Sequence, residues 1–160
     1  MMKNKGNDGS GNNLTRDEWE TKQSFWNLLN KQYKFGFDCC ANPTNTKTSS
    51  YSNNFQNIKI INEVAWMNPP FSIARKMFEH FFKVVKKGVA IYRIDNPETK
   101  IYQEVIFQNA DWIFIPKGRI NYESYKYNRN KRGGTRFPSA LIGIGVKYPI
   151  NIDGVILRIK

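Results

Sequence analysis

The chain has 160 residues, 40% hydrophobic and 14% aromatic, which suits one packed domain and is too apolar for a disordered polypeptide. Lysine and arginine number 25 against 13 aspartate and glutamate, a formal charge of +12 that points to polyanionic partners, nucleic acid first. No segment is long and apolar enough to span a membrane and no basic amphipathic helix marks a membrane surface; the adjacent pair Cys39-Cys40 and the lone His80 make no disulfide framework or metal site.

Residues 1–13 are polar and rich in glycine and asparagine, and read as a flexible tail without the apolar core of a signal peptide, as in a cytoplasmic protein. Residues 14–160 read as one domain. Thr21 is placed to cap a helix whose apolar residues Phe25, Leu28 and Leu29 share a face. Lys34-Phe35-Gly36-Phe37 reads as a short strand ending at Asp38, followed by a polar stretch through Asn42-Pro43-Thr44-Asn45 to Asn57. Ile58–Ile61 and Val64–Met67 read as strands. Ser72 is placed to cap a helix with Ala74, Met77, Phe78, Phe81, Phe82 and Val85 at spacings of three and four, stopped by Gly88. His80 falls within it and reads as a partly solvated helix residue, not a catalyst.

Val89-Ala90-Ile91-Tyr92 then reads as strand, Thr99–Gln108 as helix with Ile101, Tyr102, Val105 and Ile106 inward, and Trp112-Ile113-Phe114-Ile115 as strand. The window Lys117–Arg136 breaks the pattern, and Ser139–Val146 and Val155–Ile159 return to strand composition. The alternation predicts an α/β fold with a mostly parallel sheet and an antiparallel or hairpin C-terminal end.

Asn68-Pro69-Pro70-Phe71 falls between a predicted strand and a predicted helix. Consecutive prolines lack N–H groups and have fixed φ, so they end sheet pairing and hold a rigid turn. The Asn68 amide oxygen, the Pro69 carbonyl and the Phe71 ring are the groups needed to hold a planar amine such as that of adenine. A plain proline turn is the alternative. In open α/β sheets ligands sit beyond the carboxyl ends of strands, where Asp38 and Asn68 both stand. A carboxylate at Asp38 suits ribose hydroxyls or an amino group, and a loop or cap carboxylate is its structural alternative. No glycine-rich phosphate cradle is present, which disfavours NAD and ATP and leaves a phosphate-free nucleoside cofactor such as S-adenosylmethionine.

The ordered set Trp19-Glu20-Thr21, Asp38-Cys39-Cys40-Ala41 followed by Asn45, Lys47 and Tyr51, Trp66-Met67-Asn68-Pro69-Pro70-Phe71-Ser72, Lys117-Gly118-Arg119-Ile120 and Phe137-Pro138-Ser139-Ala140-Leu141 resembles the phage DNA N6-adenine methyltransferases. The resemblance runs from about Trp19 to Gly145 and implies a Rossmann-like class I methyltransferase sheet that uses S-adenosylmethionine, with residues 14–160 as the methyltransferase domain. It implies catalytic roles for Asn68, Pro69, Pro70 and Phe71, and cofactor contacts from Trp19, Thr21, Asp38, Ala41 and Asn45. Localisation would be cytoplasmic, in the host cytoplasm if the chain is phage-encoded. The chain departs from the family pattern at Lys22, where proline is usual, at Cys39-Cys40, and at Asn96, where an Arg-x-Asp-Thr segment would place threonine after Arg93 and Asp95.

The window from about 117 to 137 is a second constellation. Lys117, Arg119, Lys126, Arg129, Lys131, Arg132 and Arg136 are interleaved with Tyr122, Tyr125 and Tyr127 and opposed by Glu123. Such a loop suits the phosphates of double-stranded DNA, with tyrosines to stack or fill a groove; a solvated loop is the bland alternative. Three readings stand at this point: site-specific or relaxed DNA adenine-N6 methylation, methylation of protein glutamine or RNA, and a non-catalytic basic DNA-binding module. No metal or membrane partner is implied, and a homodimer is left open.

Overall fold

The computed structural model describes residues 19–124 and 137–160. In chain order, β1 (Trp19–Thr21), α1 (Gln23–Tyr33), β2 (Phe37–Asp38), β3 (Ala65–Met67), α2 (Ala74–Val84) and β4 (Gly88–Arg93) are followed by a π-helical segment (Ile101–Ile106) that runs into the short α3 (Phe107–Asn109). β5 (Trp112–Pro116), β6 (Tyr122–Ser124), β7 (Ser139–Ile144) and β8 (Gly154–Arg158) complete the described elements.

Six strands form an open sheet in the order β2-β3-β4-β7-β5-β8. The β2-β3-β4 half is parallel, as expected, whereas β7 is antiparallel to both β4 and β5, and β8 is antiparallel to β5. β7 and β8 flank β5 instead of pairing with each other, so the C-terminal end is antiparallel but is no hairpin. The fold is mixed α/β with an open sheet, compatible with a methyltransferase-like arrangement.

Side chains alternate faithfully between the faces, because successive strand residues point to opposite sides. Ala65, Met67, Ala90, Ile113, Ala140 and Ile142 face Met77, Phe78 and Phe81 of α2 and Tyr102, Val105 and Ile106 of the π-helical segment. Trp66, Val89, Ile91, Trp112, Phe114 and Leu141 face Trp26, Leu29 and Tyr33 of α1, together with Ile120, Tyr122 and Phe137. Burial on both sides explains why β4 reads as a continuous apolar run, the pattern of a central strand covered by two layers.

Several local expectations are corrected. Thr21 ends β1 and is no cap; Lys22 occupies the N-cap position without a side-chain hydrogen bond. The buried face of α1 is Trp26, Leu29 and Tyr33, with Leu28 exposed, because the three- and four-residue steps from Trp26 point at the sheet. β2 begins only at Phe37, since Lys34 adopts a left-handed helix-ending conformation with φ 52°. Ile58–Ile61 is no strand: it follows a 3₁₀ turn at Phe55–Asn57, and its strand-type pairing among the described residues is limited to an isolated bridge from Ile61 to Val85, with Ile60 exposed. Ser72 lies in a 3₁₀ turn, Phe71–Ile73, ahead of α2, whose N-cap position is Ile73. Gly88 opens β4 instead of stopping α2; a Cβ there would meet the Ala65 carbonyl at 2.9 Å and Val85 Cγ1 at 2.8 Å.

β1 and β6 were not anticipated. They form a separate antiparallel ribbon, Trp19 opposite Ser124 and Thr21 opposite Tyr122.

Candidate active site

β2 and β3 are adjacent parallel strands with Asp38 opposite Trp66, so Asp38 and Asn68 leave the sheet side by side at its carboxyl edge. The Cys39 N–H donates to the Trp66 carbonyl at 2.9 Å, which fixes the two strand ends to each other. A cavity opens between them, lined by Glu20 and Thr21 of β1, by Asp38, Cys40, Asn45 and Lys47, and by Trp66, Asn68, Pro69 and Pro70. A second cavity of about 270 Å³ shares Cys40, Asn45 and Pro70 with it. Its remaining wall includes Ala41, Asn53, Asn54, Phe55 and Met77. Sharing a wall, the two form one cleft across the ends of β2 and β3.

Asp38 is buried, 3% exposed, and its Oδ2 accepts the Lys47 N–H at 2.9 Å. Burial pushes its carboxyl up to about 6, against the opposing pull of the Lys47 and Cys40 N–H groups and the Lys47 charge. The loop that brings Lys47 there is held by its own backbone. Asp38 pairs with the segment across from it (Asp38 N–H to Ser50 O, Ser52 N–H to Asp38 O, both 3.0 Å), and the Asn42 side chain accepts from the Thr44 and Asn45 N–H groups. The polar stretch after β2 is therefore ordered by asparagine-centred turns, the use to which short polar side chains are suited.

Thr21 carries the clearest sign of a missing partner. It is 1% exposed, it lines the cavity, and its hydroxyl has no hydrogen-bond partner among the described residues. Buried hydroxyls are ordinarily satisfied, so a polar ligand group in the cavity fits this atom.

The Asn68-Pro69-Pro70 segment is where its turn chemistry requires: Asn68 half-buried at the cavity, Pro69 buried, and the Pro70 carbonyl accepting the Ile73 N–H at 3.2 Å, which ties the turn to the helix entry. Phe71 is not among the cavity-lining residues. Its ring is half-buried and meets Tyr92, Phe137 and Tyr122 edge-on, with centroids 5.6, 5.4 and 6.5 Å away. Behind them the Tyr122 and Ser139 hydroxyls pair at 2.8 Å. Cys39 and Cys40 offer no nucleophile, because burial first and the Asp38 charge as well push both thiols up, and Cys40 Sγ rests 3.8 Å from Met77 Sδ.

Of the sequence-derived candidates, the structure brings together Thr21, Asp38, Asn45, Asn68, Pro69 and Pro70 in one cavity, with Ala41 in the adjoining one. The main chain of Trp19 pairs with Ser124 in the ribbon. Lys117 and Arg119 are exposed on the turn after β5 and line neither cavity, while Lys126, Arg129, Lys131, Arg132 and Arg136 lie outside the described residues. The buried Glu20 and the exposed Asn53 and Asn54 were missed as cavity-lining residues. For Glu20 the signal was its place between Trp19 and Thr21 in a three-residue strand, visible only once that strand is known. Among the described residues no group of His, Cys, Asp or Glu is arranged to hold a metal ion, and no helix is long and apolar enough to cross a membrane.

A family model described as DNA N-6-adenine-methyltransferase (Dam) matches residues 10–152. No curated protein matches the chain.

Proposed function

The chain belongs to the DNA N-6-adenine-methyltransferase (Dam) family, and from that premise we propose that it methylates the N6 amine of adenine in DNA, with S-adenosylmethionine as methyl donor and a Rossmann-like sheet as scaffold. The observation that carries this reading is the cavity at the carboxyl ends of β2 and β3, where a buried Asp38, a buried Thr21 hydroxyl lacking a partner among the described residues, and Asn68 converge. Ligands in open α/β sheets occupy this edge.

The residues present fit the donor. Thr21 and Asp38 would bind its hydroxyl or ammonium hydrogens, Ala41 and Asn45 would border its nucleoside portion, and Trp19 belongs to the same group by its place in the ribbon. When bound, S-adenosylmethionine supplies an electrophilic methyl group on a sulfonium centre. The chain's own residues act on the acceptor. The adenine amine is a weak nucleophile because its lone pair is delocalised into the ring. The Asn68 side-chain oxygen and the Pro69 carbonyl accept its two hydrogens, which favours a tetrahedral nitrogen with a localised lone pair. As positive charge develops on that nitrogen, the same two fixed dipoles stabilise it. The methylated nitrogen is acidic and releases its proton without a dedicated base. Pro69 and Pro70 keep the acceptors from relaxing, since their φ angles are locked. Phe71 borders the base once it is turned out of the duplex, and Lys117, Arg119, Lys126, Arg129, Lys131, Arg132 and Arg136 neutralise the phosphates of double-stranded DNA.

The test is Asn68→Ala with radiolabelled donor and duplex DNA. Methyl transfer should fall by about 10²- to 10³-fold, as on removal of one electrostatic stabiliser, while donor binding by calorimetry stays within severalfold. Transfer at the wild-type rate in that variant would remove Asn68 from the mechanism. A wild-type protein that leaves adenine unmethylated would remove the function.

A further inference from the structure

Beside the strand that carries Asn68 stands β4, with Met67 opposite Ala90, so Arg93 leaves the sheet at the same edge three residues on. Its main chain is fixed from several directions. Arg93 stands opposite Ser139 in β7, the Ile94 N–H donates to the Pro138 carbonyl at 2.9 Å, and the buried Tyr102 hydroxyl donates to the Arg93 carbonyl at 2.6 Å. Tyr102 comes from the π-helical segment, a widened turn of a kind that often marks functional sites.

The side chain is fixed as well. Arg93 Nε and Nη2 donate to the two oxygens of Asp95 at 2.7 and 2.5 Å, a two-pronged pairing that sets the plane of the guanidinium. Its Cζ lies over the Phe137 ring, 4.6 Å from the centroid, and 5.9 Å from the centroid of Phe71. The pair is 28% and 27% exposed, and partly exposed ion pairs contribute little to stability. Holding two charged side chains in one orientation is better explained by what the orientation does. Phe71 follows directly on Asn68-Pro69-Pro70, and its ring is bounded by Tyr92, Tyr122, Phe137 and the Arg93 guanidinium.

We propose that Arg93, oriented by Asp95, is a positioning residue that holds the Phe71 ring, and through it the Asn68–Phe71 turn, in the geometry needed to receive the adenine. This rests on the methyl-transfer reading above. Arg93 acts through Phe71, because its Nε and Nη2 are taken by Asp95 and its Cζ lies over the Phe137 and Phe71 rings. Lysine cannot replace it, because an ammonium has neither the two-pronged geometry nor a plane to lay on a ring.

A double-mutant cycle tests this with Arg93→Lys, Phe71→Leu and the pair, on a mixed-sequence DNA duplex. Arg93→Lys should lower kcat about tenfold, in line with the sensitivity of positioned reactants to small displacements, with donor affinity within about twofold. In the Phe71→Leu background the same change should cost less than about twofold, the non-additivity of residues that act through one another. Asp95→Asn should shift kcat in the same direction as Arg93→Lys. Wild-type kcat in Arg93→Lys, or equal losses in both backgrounds, would overturn the proposal. NMR of ring-labelled phenylalanine gives a readout independent of chemistry. The Phe71 ring signals should move in Arg93→Lys, and unmoved signals overturn the proposal even if the wild-type protein methylates nothing, a result that would remove only the methyl-transfer reading.

Discussion

A buried hydroxyl without a partner costs the free protein about 1–3 kcal/mol of lost hydration, and Thr21 holds such a group at the cavity wall. Thr21→Val keeps the β-branched shape that suits a strand while deleting the oxygen. The expected result has opposite signs in two measurements: thermal unfolding of the free protein is unchanged or shifts upward, and donor affinity by calorimetry falls about tenfold, the worth of one hydrogen bond. A hydroxyl that was merely structural would lower stability and leave affinity alone. Asp38 makes the complementary prediction. Its folded-state pKa of about 6 stands above the ordinary 3.8, so between those values the folded protein keeps a proton that the unfolded chain has lost. Stability of the free protein therefore falls as pH rises through that window and levels off above it. Donor affinity runs the other way, because the ionised carboxylate is the stronger acceptor. Titrating affinity from about pH 5 to about pH 7 should give a rising curve for the wild type and a flat one for Asp38→Asn.

At the scale of elements, the parts that were legible in the sequence are those whose residues bury by a regular period. α2, with Met77, Phe78 and Phe81 inward, and β3, β4, β5 and β7, with alternate residues on two covered faces, all announced themselves in this way. The strand–turn–helix passage through Asn68-Pro69-Pro70 was equally legible, since prolines leave few alternatives. What was misread has a common physical cause. Thr21 and Ser72 have the chemistry of helix caps, but local preference yielded to tertiary pairing at the one and to a 3₁₀ entry at the other. Ile58–Ile61 has strand composition and no neighbour with which to pair along its length. β1 and β6 are three residues each and partner across nearly the whole domain, so no local pattern can reveal them. That Asp38 and Asn68 reach one cavity was legible because strand ends are predictable; Glu20, Asn53 and Asn54 were missed because their place in the cavity walls depends on the fold. One element-level constraint invites a direct check. A Cβ on Gly143 would sit 2.1 Å from Trp112 Cε2, and that ring is tethered through its Nε1 donating to the Val146 carbonyl at 2.7 Å. Gly143→Ala should therefore lower stability by about 1–3 kcal/mol, seen as a lower urea midpoint at unchanged slope.

Taken whole, the molecule carries +12 in formal charge on 160 residues. Binding to a DNA duplex should weaken steeply with salt, with log affinity falling by roughly 0.9 per unit of log salt for each phosphate neutralised. Neutralising Lys126, Arg129, Lys131 and Arg132 together should flatten that slope, whereas a slope equal to that of the wild type would assign the phosphate contacts elsewhere on the surface. The ribbon of β1 with β6 adds a different consequence. Because Thr21 at once lines the cavity at the ends of β2 and β3 and lies opposite Tyr122, whose ring borders Phe71, the first described strand is a hinge-pin common to the cavity wall and the aromatic cluster around Phe71. Shortening the chain up to residue 13 spares that pin. Cutting as far as residue 21 withdraws it, and with it one wall of the cleft and the strand that aligns Tyr122, although the six-stranded sheet keeps every one of its own pairings.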